Sequence, residues 1–299
     1  MKTPVSILTG YLGSGKTTLL RRILNETSKK VAVIINEFGD IGIDGRVIKG
    51  KNVNMIELTG GCVCCSLEGE FKAAIKEIIT KTNPELILVE TTGVAEPEAI
   101  AFDLEESLPE VRLDSVITVV DADGIMMFPS IGHTGRVQIE MGDVILVNKI
   151  DLVNPRDIIK VEKKLHEING KATLFRTYKC EIASELLFGT YTTKTTEQKG
   201  KHEHDPKIDL FQISVDQEIQ REGLSDFLSS LPREVYRAKG LIVIKNHGLH
   251  LLNYVVGRWD LEPMPGNYSS GNQLVFIGER VGSKKKVITE KLNEVLMRK

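Results

Sequence analysis

The octapeptide GYLGSGKT, residues 10–17, constrains this chain more than any other stretch. It fits G-x-x-x-x-G-K-[ST], follows the apolar run ILT and opens the helical run TTLLRRIL. A glycine-rich turn between a strand and a helix can curl its backbone N–H groups around a phosphate, and the helix N-terminus adds a favourable dipole. Gly10, Gly13, Ser14 and Gly15 build the turn. Lys16 is placed to reach the β- and γ-phosphates, the Thr17 hydroxyl to ligate Mg2+, and Thr18 completes the nucleotide-binding set.

The rest of the first 190 or so residues agrees with that start. Short runs rich in Val, Ile and Leu recur at 4–9, 31–36, 52–58, 85–90, 115–121, 143–148 and 172–175. Continuous apolar runs suit parallel strands buried on both faces. Between them lie helical patterns: Leu67, Phe71, Ala74, Ile75, Ile78 and Ile79 form one stripe, and Ile158, Ile159, Val161 and Leu165 another, opened by Pro155. The expectation is an α/β phosphate-loop NTPase domain over 1–188 with a mostly parallel, doubly wound sheet joined by right-handed crossovers. Residues 189–206, polar and closed by a proline, read as a flexible linker. Residues 207–299 then read as a smaller α+β domain: strand FQISV, helix EGLSDFLSSL, strands VYRAKGLIVI, HLLNYVVGRW and QLVFIGE, and helix VITEKLNEVL, with ferredoxin-like topology.

Two further motifs refine the chemistry. NKID, 148–151, ends a buried-looking strand on the edge where open α/β sheets bind ligands. A carboxylate at Asp151 accepts two hydrogen bonds from guanine and would be left unpaired by adenine, a strong basis for rejection. Asn148 would support the loop and face the base, and the Lys149 stem would cover one ring face. The strand ELILVE runs into TTG, so Glu90 stands where phosphate-loop NTPases keep a carboxylate near the Mg2+ shell, and Gly93 lets backbone approach a γ-phosphate. Lys16 and Glu90 are therefore the expected catalytic residues. No Gln or Arg stands in an obvious place to position the attacking water.

Three of the four cysteines crowd into TGGCVCCSL, 59–67. The charge balance, 39 basic against 41 acidic residues, gives no footprint for nucleic acid. No apolar run is long enough to span a bilayer and the N-terminus lacks a signal-peptide pattern, so the expected compartment is the cytoplasm, where thiols stay reduced. Cys62, Cys64 and Cys65 then read as soft ligands for a borderline transition metal such as Zn2+. A structural zinc site, a redox pair and buried small hydrophobes are the other readings. Cys180, alone, reads as structural.

GYLGSGKTTLL, INEFGDIGID, GGCVCCSL, ETTG and NKIDL, in this order and spacing, resemble the CobW-type GTPases, relatives of the urease and hydrogenase nickel-insertion GTPases. The resemblance implies a slow GTPase and metallochaperone using GTP, Mg2+ and Zn2+ or Co2+. It would deliver the ion to a client metalloprotein or cofactor-assembly enzyme, with no nucleic-acid or membrane partner. It also implies that Cys62, Cys64 and Cys65 are metal ligands and that Glu37, in the first switch segment, joins the transition-metal or Mg2+ shell. Many members carry a long histidine-rich stretch before the C-terminal domain; here only His202-Glu203-His204 stands there, and a solvated loop is the reading for it. The alternatives are a GTP-dependent regulatory switch with structural zinc and a small-molecule kinase of cofactor assembly.

Overall fold

The computed structural model describes residues 2–27, 29–36, 53–58, 68–93, 95–188, 208–215, 217–264 and 272–296. Glu37, Leu67, Cys62, Cys64 and Cys65, and residues 189–206, expected to be a linker, with His202 and His204, lie outside the described residues. The chain divides into two compact units, Lys2–Phe188 and Gly189–Lys299.

Among the described residues of the first unit the apolar runs become seven strands: β1 (Thr3–Thr9), β2 (Val31–Asn36), β3 (Val53–Leu58), β4 (Leu86–Glu90), β5 (Val111–Asp121), β6 (Val144–Asn148) and β7 (Thr173–Arg176). They form one sheet in the order β3-β2-β4-β1-β5-β6-β7, and every pairing is parallel. Both β4 and β6 are buried along their whole length, which is why neither shows the alternation of a half-wet strand. Helices α1 (Lys16–Glu26), α2 (Glu68–Thr82), α3 (Pro97–Glu106), α4 (Ala122–Met127), α5 (His133–Glu140) and α6 (Pro155–Ile168) connect them. The side chains of α2 and α3 pack with Val5, Ile7, Ile87 and Val89 on one face. On the other face, α1 packs with Leu8, Val33, Leu88 and Val119. Strand parity assigns alternate residues to the two layers.

Two expectations in this unit need correction. Ile159 is exposed, while Ile158, Val161 and Leu165 are buried. At 100° per residue Ile159 sits a quarter-turn off the stripe, so adjacency to Ile158 misassigned it. The fifth strand also starts at Val111, ahead of its apolar run. Its early polar residues are a buried pair on one strand face, Arg112 Nη1 donating to Asp114 Oδ1 at 2.9 Å. Each charge neutralises the other, so polarity did not keep the segment out of the sheet.

The second unit holds β8 (Ile208–Val215), α7 (Arg221–Ser229), β9 (Val235–Ile244), β10 (Gly248–Val255), β11 (Arg258–Pro263), β12 (Asn272–Glu279) and α8 (Lys285–Leu296). Its sheet runs β11-β10-β9-β12-β8, with every neighbouring pair antiparallel. Phe211 and Phe276 stack at 5.0 Å and Phe227 meets Phe276 edge-on at 6.3 Å, fixing α7 over the sheet. The order of elements is βαββββα rather than the βαββαβ of a ferredoxin-like domain. The extra strand comes from HLLNYVVGRW, which is two strands of a hairpin. Val256 and Gly257, both at positive φ (45° and 90°), form its two-residue turn. A β-branched residue almost never takes that conformation, so Val256 concealed the turn.

Candidate nucleotide-binding site

Seven parallel strands put seven carboxyl ends on one edge of the sheet. Register then collects the chemistry: Leu8 pairs with Glu90, Thr9 with Thr118, and Asp121 with Asn148. The phosphate loop leaves β1 on this edge, and Gly10, Gly13 and Gly15 all take positive φ. Gly15 illustrates why no other residue serves. A Cβ there would lie 2.5 Å from Asn148 Nδ2 and 3.0 Å from Cys180 Sγ.

Helix α1 begins at Lys16 with no side-chain cap and no acidic residue in its first turn. Its first amides are thus left for an external acceptor. The Lys16 ammonium is buried and folds back to donate to Gly10 O at 2.7 Å and Tyr11 O at 3.2 Å. Burial lowers its pKa; the nearby Glu90 carboxylate opposes the shift without overcoming it. Ser14 Oγ is buried with no hydrogen-bond partner among the described residues, as is Thr92 Oγ1. A buried cation, an unpartnered hydroxyl and an uncapped helix start on one loop fit a phosphate chain. Thr17 Oγ1 donates to Glu90 Oε1 at 3.0 Å at the mouth of this loop. That hydroxyl–carboxylate pair is a hard oxygen donor set of the kind Mg2+ takes. Thr18, next on α1, is exposed.

Asn148 ties three loops together. Its Nδ2 donates to Ser14 O at 2.8 Å, and its Oδ1 accepts from Thr177 Oγ1 at 3.2 Å and from the Cys180 N–H at 2.9 Å. The side chain is 2% exposed, so these bonds brace the phosphate loop. Lys149, at φ 61°, turns its ammonium to Asp121 Oδ2 at 2.6 Å. Asp151 lies exposed in the short 3-10 turn that follows. The Cys180 thiol is buried and contacts Gly15 O at 3.4 Å; burial pushes its pKa up to about 12, against the opposing pull of Arg22. It is a packing group with no thiolate at neutral pH.

Asp121, Thr177 and Gln138 went unnoticed in the sequence. Asp121 ends an apolar strand just as Glu90 does, a signal that was available. Thr177 and Gln138 carry no local signal, because their partners are 29 and 43 or more positions away. A cavity of about 820 Å³ borders the start of the loop at Gly10, Tyr11 and Leu12, with Asp121, Phe128 and Gln138 among its other walls. Its lining does not include Lys16, Thr17, Asn148 or Asp151, so it stands beside the phosphate chemistry. Among the described residues no group of three His, Cys, Asp or Glu gathers to hold a metal ion.

A parallel sheet with a glycine-rich loop, an invading lysine and a threonine–carboxylate pair at its carboxyl edge defines a phosphate-loop nucleotide-binding protein. The particular kind follows from comparison: residues 4–176 match the CobW/HypB/UreG nucleotide-binding domain, residues 208–296 match the cobalamin synthesis protein cobW C-terminal domain, and the chain belongs to the CobW/HypB/UreG family. It is similar to the zinc chaperone YjiA of Escherichia coli, 31% identical over 92% of this chain and 93% of that protein. It also resembles the zinc chaperone CobW of a Sinorhizobium species, 28% identical over 86% of each. The zinc-regulated GTPase metalloprotein activator 1 of Saccharomyces cerevisiae is 28% identical over 99% of this chain and 84% of its own length.

Proposed function

We propose that this chain is a GTP-hydrolysing metallochaperone that carries a transition-metal ion and hands it to a client protein. The observation that carries the nucleotide half is the Asn148 brace, which joins the guanine-type NKID loop to the phosphate loop through Ser14 O. Base recognition and phosphate recognition are thereby held in one rigid frame. Lys16 and the Gly13–Thr18 turn hold the phosphates, Thr17 and Glu90 hold Mg2+, and Asp151 selects guanine. Bound Mg2+ would neutralise charge building on the phosphate oxygens. The Glu90 carboxylate also opposes the effect of burial on Lys16 and so favours its charged form.

The cargo half rests on the thiols of Cys62, Cys64 and Cys65, with Glu37 as a fourth donor. Three thiolates and a carboxylate suit Zn2+ and accept Co2+; relatives named zinc chaperones favour zinc. The thiols lie in sequence between the two segments expected to respond to GTP, around Glu37 and Thr91-Thr92-Gly93. We assign residues 1–188 to the GTPase domain, 189–206 to a linker and 207–299 to the second domain. No described helix is long and apolar enough to cross a membrane, and the protein is proposed to act in the cytoplasm.

Zinc titration in the presence of GDP and of a non-hydrolysable GTP analogue tests the coupling. Reciprocal linkage of about 1–3 kcal/mol predicts roughly five- to 150-fold tighter zinc binding with the analogue. Equal affinities would sink the transfer cycle, and faster turnover of ATP than of GTP would replace it with a kinase.

A further inference from the structure

The loop leaving β4 is held at three places. At its start the Thr91 N–H donates to Leu8 O at 2.9 Å and its hydroxyl to Thr9 Oγ1 at 3.0 Å, extending the pairing with β1. In its middle, Gly93 lies so close to the phosphate loop that a Cβ would fall 2.5 Å from Leu12 N. On the far side stands α5. Its Gln138, 1% exposed, donates from Nε2 to Gly93 O at 3.2 Å and to Ala95 O at 3.0 Å. The helix is itself anchored at that residue, since Gln138 O accepts from Thr118 Oγ1 on β5 at 2.7 Å.

A primary amide carries two N–H donors, and here the amide nitrogen reaches two carbonyls of a single loop. Burying that amide costs free energy unless both bonds form. Packing a helix on a sheet needs only an apolar side chain, which Ile139 supplies one position on. Gln138 therefore answers to the loop rather than to the core. By holding the carbonyls of Gly93 and Ala95 it fixes them beside the point where Gly93 comes nearest to Leu12.

We propose that Gln138 is a positioning residue that sets the stance of the Thr91–Ala95 loop against the phosphate loop, and so sets how the site separates GTP from GDP. This rests on the reading that GTP is the substrate and that the loop attends the third phosphate. On that reading the diphosphate is held by the other side of the site, through the α1 amides, Lys16 and the NKID loop, whereas the Gln138 amide bonds Gly93 and Ala95. Loosening the latch therefore acts on one nucleotide and spares the other.

The test uses the full chain with Gln138→Met, which keeps length and loses both donors, and Gln138→Asn, which keeps the amide but shortens its reach. Dissociation constants for GDP and a non-hydrolysable GTP analogue are measured beside kcat and KM for GTP and a thermal melt. For Gln138→Met the analogue should bind about tenfold more weakly and kcat should fall by a similar factor, with GDP affinity within about twofold of wild type. Gln138→Asn should fall between the two. Equal weakening of both nucleotides, or a lower melting temperature with an unchanged GDP-to-analogue ratio, would overturn the proposal by reducing Gln138 to a brace. A wild-type protein that does not turn over GTP overturns the substrate reading and this inference with it. Wild-type turnover with unaltered variants overturns this inference alone.

Discussion

Lys16 shows how one residue can cost the fold stability and still suit a phosphate ligand. Burial strips water from its ammonium, and Glu90 does not fully restore the loss, so the folded-state pKa lies below the usual 10.5. The fold therefore disfavours the charged form. That penalty on stability is present in full below the folded-state pKa, shrinks as pH rises through it, and is gone above 10.5. A phosphate chain needs the charged form and raises the pKa again. Nucleotide affinity should thus decline as pH rises through the folded-state value. Lys16→Arg stays protonated across that window. The ratio of wild-type to Lys16→Arg affinity for GDP, measured by titration from neutral pH upward, should fall toward pH 10.5. A flat ratio would mean that the ammonium is not what the phosphates meet.

At the scale of elements, the turn between β10 and β11 is locally unfavourable. Two-residue hairpin loops with both central residues at positive φ favour Asn-Gly, and Val256 occupies the first position at φ 45°. A left-handed conformation costs an ordinary L-residue about 1–2 kcal/mol. Val256→Asn should recover a part of that, about 1 kcal/mol, and raise the melting temperature of the second unit. Trp259, the chain's one tryptophan, lies opposite Tyr254 beside this turn, so its fluorescence reads the transition directly. No gain in that signal would mean the rest of the hairpin already compensates for the strain. The α5 helix makes the opposite point: its first-order role is packing, yet Gln138 turns it into a support for a loop on another strand.

Over the whole molecule, the proposed nucleotide half rests on the geometry around Lys16 and Asn148, and the proposed metal half on the spacing of Cys62, Cys64 and Cys65. The two halves can be separated by experiment. Cys64→Ser should leave GDP affinity and thermal stability near wild type while zinc retention, read by elemental analysis after desalting, drops severalfold or more. Loss of folding instead would assign the thiols to a structural zinc site.

How much of this was legible follows from the range of the forces involved. Strands β1, β2, β4 and β6 could be read because burial on both faces demands continuous apolar runs, and the phosphate loop because its backbone demands glycine at fixed offsets. Such constraints act within about ten residues, so the chain carries them as local pattern. Val256 and the pair Arg112 and Asp114 were misread because a turn or strand there contradicts local propensity and is held by its neighbours. The Asn148 brace, the Lys149–Asp121 pair and the Gln138 latch have partners 28 to 134 positions away. Only the parallel order of the sheet decides which carboxyl ends become neighbours. The sequence determined the elements and the phosphate-loop chemistry; tertiary structure decided which polar groups meet, because hydrogen bonds depend on distances that folding alone sets.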